Sequence, residues 1–233
     1  MGIPVKPWPE LVIFDCDGVL VDSETISLSH TRAALSRVGW ELGELEVRDL
    51  FLGVSARSMG AIAERALGAP LPPEFQGDLA RETIESFERE LKGVQGIAEA
   101  IGLLSARVCV ASSSSPERIR ASLRIVGYAD LFGENVFSAE DVARGKPEPD
   151  LFLHAARRMG AEPRACLVVE DSVAGVTAAN RAGMVALGFT GGAHAKGEAY
   201  RARLLGAGAS LVFEDMRELP NLVADFATRR AHG

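Results

Sequence analysis

Residues 11–24, LVIFDCDGVLVDSE, decide how the rest of the chain is read. Leu11 to Phe14 make a short apolar run with β-branched members, closed by Asp15 and the turn pair Asp17-Gly18, the pattern of a buried strand ending at a polar site. Working outward, further runs of the same kind are RVCVAS (107–112), NVFSA (135–139), ACLVVED (165–171), MVALGF (184–189) and SLVF (210–213). Between the later runs lie helical stretches that open at Pro116, Pro149 and Ser172, each ending at a glycine. Strands alternating with helices of that length build βαβ units. The expected class is α/β, a doubly wound, Rossmann-like parallel sheet covered on both faces.

One segment breaks the alternation. From Ser23 to Lys92 the pattern is helical throughout, as in SETISLSHTRAALSRVG, SARSMGAIAERALG and PEFQGDLARETIESFERELKG. That is far longer than a simple crossover between neighbouring strands. It predicts an inserted helical domain, 23–92, within a core made of 1–22 and 93–233.

The 233 residues are 47% hydrophobic and 24% charged, which suits a globular fold and argues against disorder. The 25 basic and 32 acidic residues leave a net charge of −7 without long blocks of one sign, so no extended nucleic-acid face is expected. No apolar run approaches the roughly 20 residues needed to span a bilayer. The start MGIPVK lacks the apolar core of a signal peptide and has Lys6 where a myristoylation signal has Ser or Thr. Cys16, Cys109 and Cys166 all fall in apolar, strand-like runs and read as buried thiols in a reducing compartment. The expectation is a cytoplasmic protein without membrane or nucleic-acid partners, a monomer by default.

In open α/β sheets, ligands collect beyond the carboxyl ends of the strands, where the strand order reverses. Those ends carry Asp15 with Asp17, Ser112 with Ser113, and Glu170 with Asp171, while Lys146 lies in the turn GKPEPD (145–150). A strand order 3-2-1-4-5-6 brings Asp15 and Asp171 together. Carboxylates gathered there repel one another unless a cation joins them, and an all-oxygen donor set suits magnesium. Each piece alone has a plainer reading: a turn at Asp17-Gly18, a helix cap at Glu170-Asp171-Ser172, a helix entry at Ser112 to Ser115, a solvated lysine at 146. Their joint placement after strands, with positive charge where a phosphate needs it, points to one site. Strand alternation turns Cys16 away from the Asp15 side. His30, His154, His194 and His232 show no ligand spacing and receive no role, and Gly206-Ala-Gly208 lacks the dinucleotide fingerprint.

FDCDGVLVDSE, the ASSS after the second strand, GKPEPD and VVEDSVAGVTAANRAG together resemble the four motifs of the haloacid dehalogenase superfamily, in the branch with a helical cap after the first strand. That branch includes sugar-phosphate phosphatases and β-phosphoglucomutases. The resemblance implies a phosphoric monoester hydrolase in which Asp15 is the nucleophile, accepting the phosphoryl group, and Asp17 is acid and then base. It implies Mg2+ held by Asp15, the Asp17 carbonyl and Asp171, with Glu170 direct or through water. Ser112, the Ser113 amide and Lys146 would hold the transferring phosphate, and Ser114 could touch the substrate beyond it. The cap loop Leu52 to Arg57, with Gly53 and Arg57 foremost, would read a small phosphate-ester substrate, Arg57 through a second anionic group.

The alternative to a phosphatase is a sugar phosphomutase, which shares the steps up to the phosphoenzyme, but mutases of this branch carry a histidine where this chain has Ser27 and an arginine where it has Ala56, and both departures weigh against it. A dehalogenase has no use for Asp17. A phosphorylated receiver-type switch would place its acidic pair before the phosphoacceptor and would lack a cap.

Overall fold

The computed structural model describes residues 8–231. The readings made on the first residues, MGIPVK, and on His232 lie outside them. Six strands, β1 (Leu11–Phe14), β2 (Arg107–Ser112), β3 (Val136–Ser138), β4 (Cys166–Glu170), β5 (Val185–Phe189) and β6 (Leu211–Phe213), form one parallel sheet in the order β3-β2-β1-β4-β5-β6. The order reverses between β1 and β4, whose register sets Phe14 opposite Val169, while on the other side Phe14 faces Val110. The doubly wound α/β class is therefore the one observed. β3 to β6 are each one or two residues shorter than their apolar runs, and β4 ends at Glu170, just before Asp171.

Alternation along β1 supplies both faces of the sheet. Leu11 and Ile13 pack with Cys109, Phe152 and Val168 on one side, and Val12 and Phe14 with Cys16, Val110 and Phe189 on the other. These side chains are fully or almost fully buried, and each large one contributes about 1.5–3 kcal/mol of transfer free energy. Cys16 faces the core as expected, and all three cysteines are buried and free.

Between β1 and β2 run α1 (Glu24–Arg37), α2 (Glu44–Phe51), α3 (Ala56–Leu67), α4 (Phe75–Glu90) and α5 (Ile97–Leu103). The first four enclose a separate apolar cluster that includes Leu35, Val47, Phe51, Met59 and Leu79, with Trp40 set edge-on to Phe51 at 5.9 Å. The chain leaves and re-enters the core through one paired junction: Val21 bridges Gly93, and the Asp22 amide donates to the Lys92 carbonyl at 2.9 Å.

The remaining helices are α6 (Pro116–Ile125), α7 (Ala129–Phe132), α8 (Asp150–Arg158), α9 (Val173–Arg181), α10 (Glu198–Gly206) and α11 (Leu219–Ala231). Ser115 caps α6 by accepting from the Arg118 amide at 3.3 Å, and Ser172 caps α9 by accepting from Gly175 at 3.0 Å. Pro149 precedes α8 as its cap residue rather than its first helical position. Among the described residues no helix is long and apolar enough to cross a membrane.

Candidate active site

The polar ends of β1, β2 and β4 meet at the switch point. Lys146, delivered by the turn before α8 with a cis peptide to Pro147, is 1% exposed. Its Nζ donates to Asp15 Oδ1 at 2.9 Å and to Glu170 Oε1 at 2.7 Å, and it lies 4.9 Å above the Phe152 ring. Burial disfavours the ammonium, but Asp15 and Glu170 outweigh it and keep the lysine charged. Asp15 moves the other way. Burial, with the charges of Glu170, Asp171 and Asp17, pushes its carboxyl well above the usual range in spite of Lys146.

Glu170 is wholly buried and fixed from two sides. Its Oε2 accepts from the Ser172 amide at 2.8 Å and from the Ser172 hydroxyl at 3.1 Å. The side chain lies against the backbone of Gly175, where a Cβ would come within 1.7 Å of Oε1, so a residue larger than glycine has no room. Asp171 follows, with its carboxyl raised by burial and then by Glu170. Its Oδ2 is buried without a hydrogen-bond partner. Asp15, Glu170 and Asp171 each offer one oxygen, and the three lie within 4.8 Å of one another. Three buried carboxylates that repel one another and offer only oxygen donors fit a hard divalent cation.

Asp17, two residues after Asp15, makes its hydrogen bonds with other partners. Its Oδ1 accepts from Ser23 Oγ at 2.6 Å and from Arg118 Nη2 at 2.6 Å, and its Oδ2 from Ser114 Oγ at 2.6 Å. Burial favours the neutral acid, yet the Arg118 charge and these hydrogen bonds hold the carboxyl below its ordinary range. Ser23 occupies the cap position of α1 but makes no side-chain cap bond, because its hydroxyl serves Asp17. Arg118 also donates to Ser27 Oγ at 2.8 Å and rests 5.1 Å over the Phe87 ring, so it ties the helical insert to the core.

A cavity of about 130 Å³ opens between core and insert. It is lined by Asp15, Asp17, Ser112 and Ser113 from the core and by Thr31, Gly53, Ala56, Met59, Gln76 and Thr83 from the insert. Arg118 is the cation on its wall, and Glu24, buried and pushed up to about 8 by burial and then by Asp17 and Asp171, is a further acid there. Ser114 lines the cavity with its hydroxyl engaged on Asp17. Gly53 has φ +71°, and a Cβ there would meet Ser172 Cβ at 3.0 Å, so the cap loop rests directly on the start of α9. Arg57 lines a neighbouring cavity, with Arg144, Lys146 and Ser115, and not the one that holds Arg118.

Sequence reasoning brought Asp15, Asp17, Ser112, Ser113, Lys146, Glu170 and Asp171 to one crevice, and passed over Arg118, Glu24 and His194. His194 had been given no role, yet its Nε2 stands 2.7 Å from Asp171 Oδ2.

A model of the haloacid dehalogenase-like hydrolase family matches residues 9–183. The chain is 32% identical over 188 residues to 6-phosphogluconate phosphatase of Escherichia coli, covering 80% of this chain and 85% of that one. It is 31% identical over 182 residues to phosphorylated carbohydrates phosphatase of Thermotoga maritima, covering 75% and 82%. Among solved structures, a conserved haloacid dehalogenase-like protein of unknown function from Agrobacterium tumefaciens superposes with a TM-score of 0.77 at 35% identity, covering 94% of this chain and 99% of that one. Strand order, acid cluster and sequence match agree over most of the length, and the chain belongs to the haloacid dehalogenase-like hydrolases.

Proposed function

We propose that the chain is a magnesium-dependent phosphatase of small phosphorylated sugars or sugar acids, working through a phosphorylated Asp15. The observation that carries this is the grouping of Asp15 with Lys146, Glu170 and Asp171, at a cavity that Asp15 lines. The two phosphatase relatives that act on phosphorylated carbohydrates support the substrate class.

In the first half-reaction an Asp15 oxygen attacks phosphorus, the bond from phosphorus to the ester oxygen breaks, and Asp17 gives its proton to the departing alkoxide. In the second, Asp17 takes a proton from water, whose oxygen displaces the Asp15 carboxylate and releases inorganic phosphate. Asp17, paired with Arg118, is poised as the base of this second step. To serve as the acid of the first it exchanges that contact for the leaving oxygen. Lys146 gives the transferring phosphate a fixed positive charge, and the Ser112 hydroxyl and Ser113 amide hold its oxygens. Mg2+ would be held by Asp15, the Asp17 carbonyl and Asp171, with Glu170 direct or through water, and when bound it offsets the negative charge that would otherwise keep a phosphate away. The cavity of about 130 Å³ suits a small leaving group.

The test is phosphate release from a panel of sugar and sugar-acid phosphates, with Mg2+ or with chelator, for wild type and Asp15→Asn. Release that needs Mg2+ and disappears in Asp15→Asn is the expected result. Isomerisation of glucose 1-phosphate in the presence of a bisphosphate, without net release, would instead establish the mutase.

A further inference from the structure

The loop between β5 and α10 brings a histidine to the acid cluster that the mechanism above does not use. His194 is 3% exposed, with Nε2 2.7 Å from Asp171 Oδ2. The pair is close but not aligned as a hydrogen bond, and Asp171 Oδ2 and both imidazole nitrogens are buried without partners. The loop is tied down on either side of the ring. The Ala193 amide donates to Asp22 Oδ1 at 3.0 Å, the Ala195 amide to the Gly192 carbonyl at 3.2 Å, and Lys196 Nζ to the Thr190 and Gly191 carbonyls at 3.3 and 3.2 Å.

Space has been cleared for the contact. A Cβ at Gly18 would come within 2.0 Å of Asp171 Oδ2 and 2.7 Å of His194 Cε1, and a Cβ at Gly192 within 2.8 Å of the same ring carbon. Tyr200 closes the far side, its ring perpendicular to the imidazole at 6.0 Å and its hydroxyl donating to the Asp171 carbonyl at 3.0 Å. Two glycines, a tyrosine and an anchored loop thus converge on one imidazole and one carboxylate.

We propose that His194 is a positioning residue for the divalent cation: it holds Asp171 by Oδ2, so that the carboxylate presents its remaining oxygen on the side of Asp15 and Glu170. The inference rests on the reading of these three acids as the cation site. A carboxylate free to rotate in a buried, like-charged cluster turns away from its neighbours, whereas one with an imidazole Nε2 behind it at 2.7 Å needs only a small turn to close that contact into a hydrogen bond and be oriented when the ion arrives. Partners of this kind, one step removed from the ion, typically change metal affinity by about 10- to 100-fold when removed.

The experiment is calorimetric titration of Mg2+ into the metal-free protein without substrate, for wild type, His194→Leu, His194→Gln and His194→Asn. The amide nitrogen of glutamine reaches the position of Nε2, and that of asparagine falls short of it. The expected result is a Kd raised about 10- to 100-fold in His194→Leu and His194→Asn and largely restored in His194→Gln, with saturating Mg2+ recovering kcat in all three. If His194→Leu does not fold, the glutamine and asparagine variants carry the comparison alone. Equal Mg2+ affinity in the glutamine and asparagine variants, or wild-type affinity in a folded His194→Leu, overturns the inference and leaves the phosphatase reading standing. A wild type that binds no Mg2+ overturns both.

Discussion

Arg118→Met keeps the apolar stem that lies on Phe87 and removes the guanidinium that pairs with Asp17. The two charges are 2.6 Å apart, with side-chain exposures of 24% for Arg118 and 10% for Asp17. Removing one partner of a buried pair costs about 3–5 kcal/mol. Partial exposure of Arg118 and the surviving hydroxyl donors Ser23 and Ser114 place this case at the low end, about 3 kcal/mol. For a chain of this size that corresponds to a Tm about 6–12 °C lower at neutral pH.

The pH dependence of that loss has a definite sign. In the wild type the Asp17 carboxyl lies below its ordinary value, so its contribution to stability is present above the unfolded value near 3.8 and is lost as pH falls through the lower folded value. Without Arg118, burial pushes the same carboxyl up, and the variant loses stability as pH rises through that raised value. The gap in Tm is therefore widest at pH 7.5 and narrows toward pH 5. Thermal melts of both proteins in chelator at the two pH values measure it. A gap that is absent at pH 7.5, or equal at both, refutes the reasoning.

Glu24→Gln should raise Tm over the wild type by an amount that grows from pH 5 to pH 8. A carboxyl pushed up to about 8 makes the folded state bind a proton that the unfolded chain releases, and the amide removes this penalty; parallel melts across that range check it. Lys146→Met strands Asp15 and Glu170 without their buried cation, so in chelator the protein loses about 3–5 kcal/mol in a denaturant titration, and phosphate release falls by at least about tenfold for every 1.4 kcal/mol of transition-state stabilisation lost. Gly53→Ala forces a side chain into a left-handed backbone at a cost of about 1–2 kcal/mol and pushes a methyl onto Ser172. Its expected signature is a raised KM with phosphate release retained, and an unchanged KM would show that the cap loop does not need this close approach.

The sheet was legible because parallel strands buried on both faces need continuous apolar, β-branched runs, and the turns between them are marked by proline, serine and glycine. The acids and Lys146 were legible because they sit immediately beyond those runs, where position in the chain fixes position in the crevice. Arg118 was not. In PERIRASLR it shares a helix with Arg120 and Arg124, and what singles it out is Phe87 and Ser27, supplied by the insert from far along the chain. His194 lies in an irregular loop, and its partner belongs to another loop, so no spacing announces the pair. For Arg57, the sequence does not reveal which of two adjoining cavities the first turn of α3 faces.

The junction at Val21 and Gly93 has a bearing on how such a protein changes over time. Entry and exit of the insert are neighbours, joined by the bond from the Asp22 amide to the Lys92 carbonyl, so a cap of different length or shape can be spliced between them without re-registering a single strand. Much of the cavity wall, including Thr31, Met59, Gln76 and Thr83, travels with that one continuous stretch of gene, while Asp15, Asp17, Ser112 and Ser113 stay behind at the sheet. On the proposed reading, what selects the leaving group and what handles the phosphate are thereby separable inheritances.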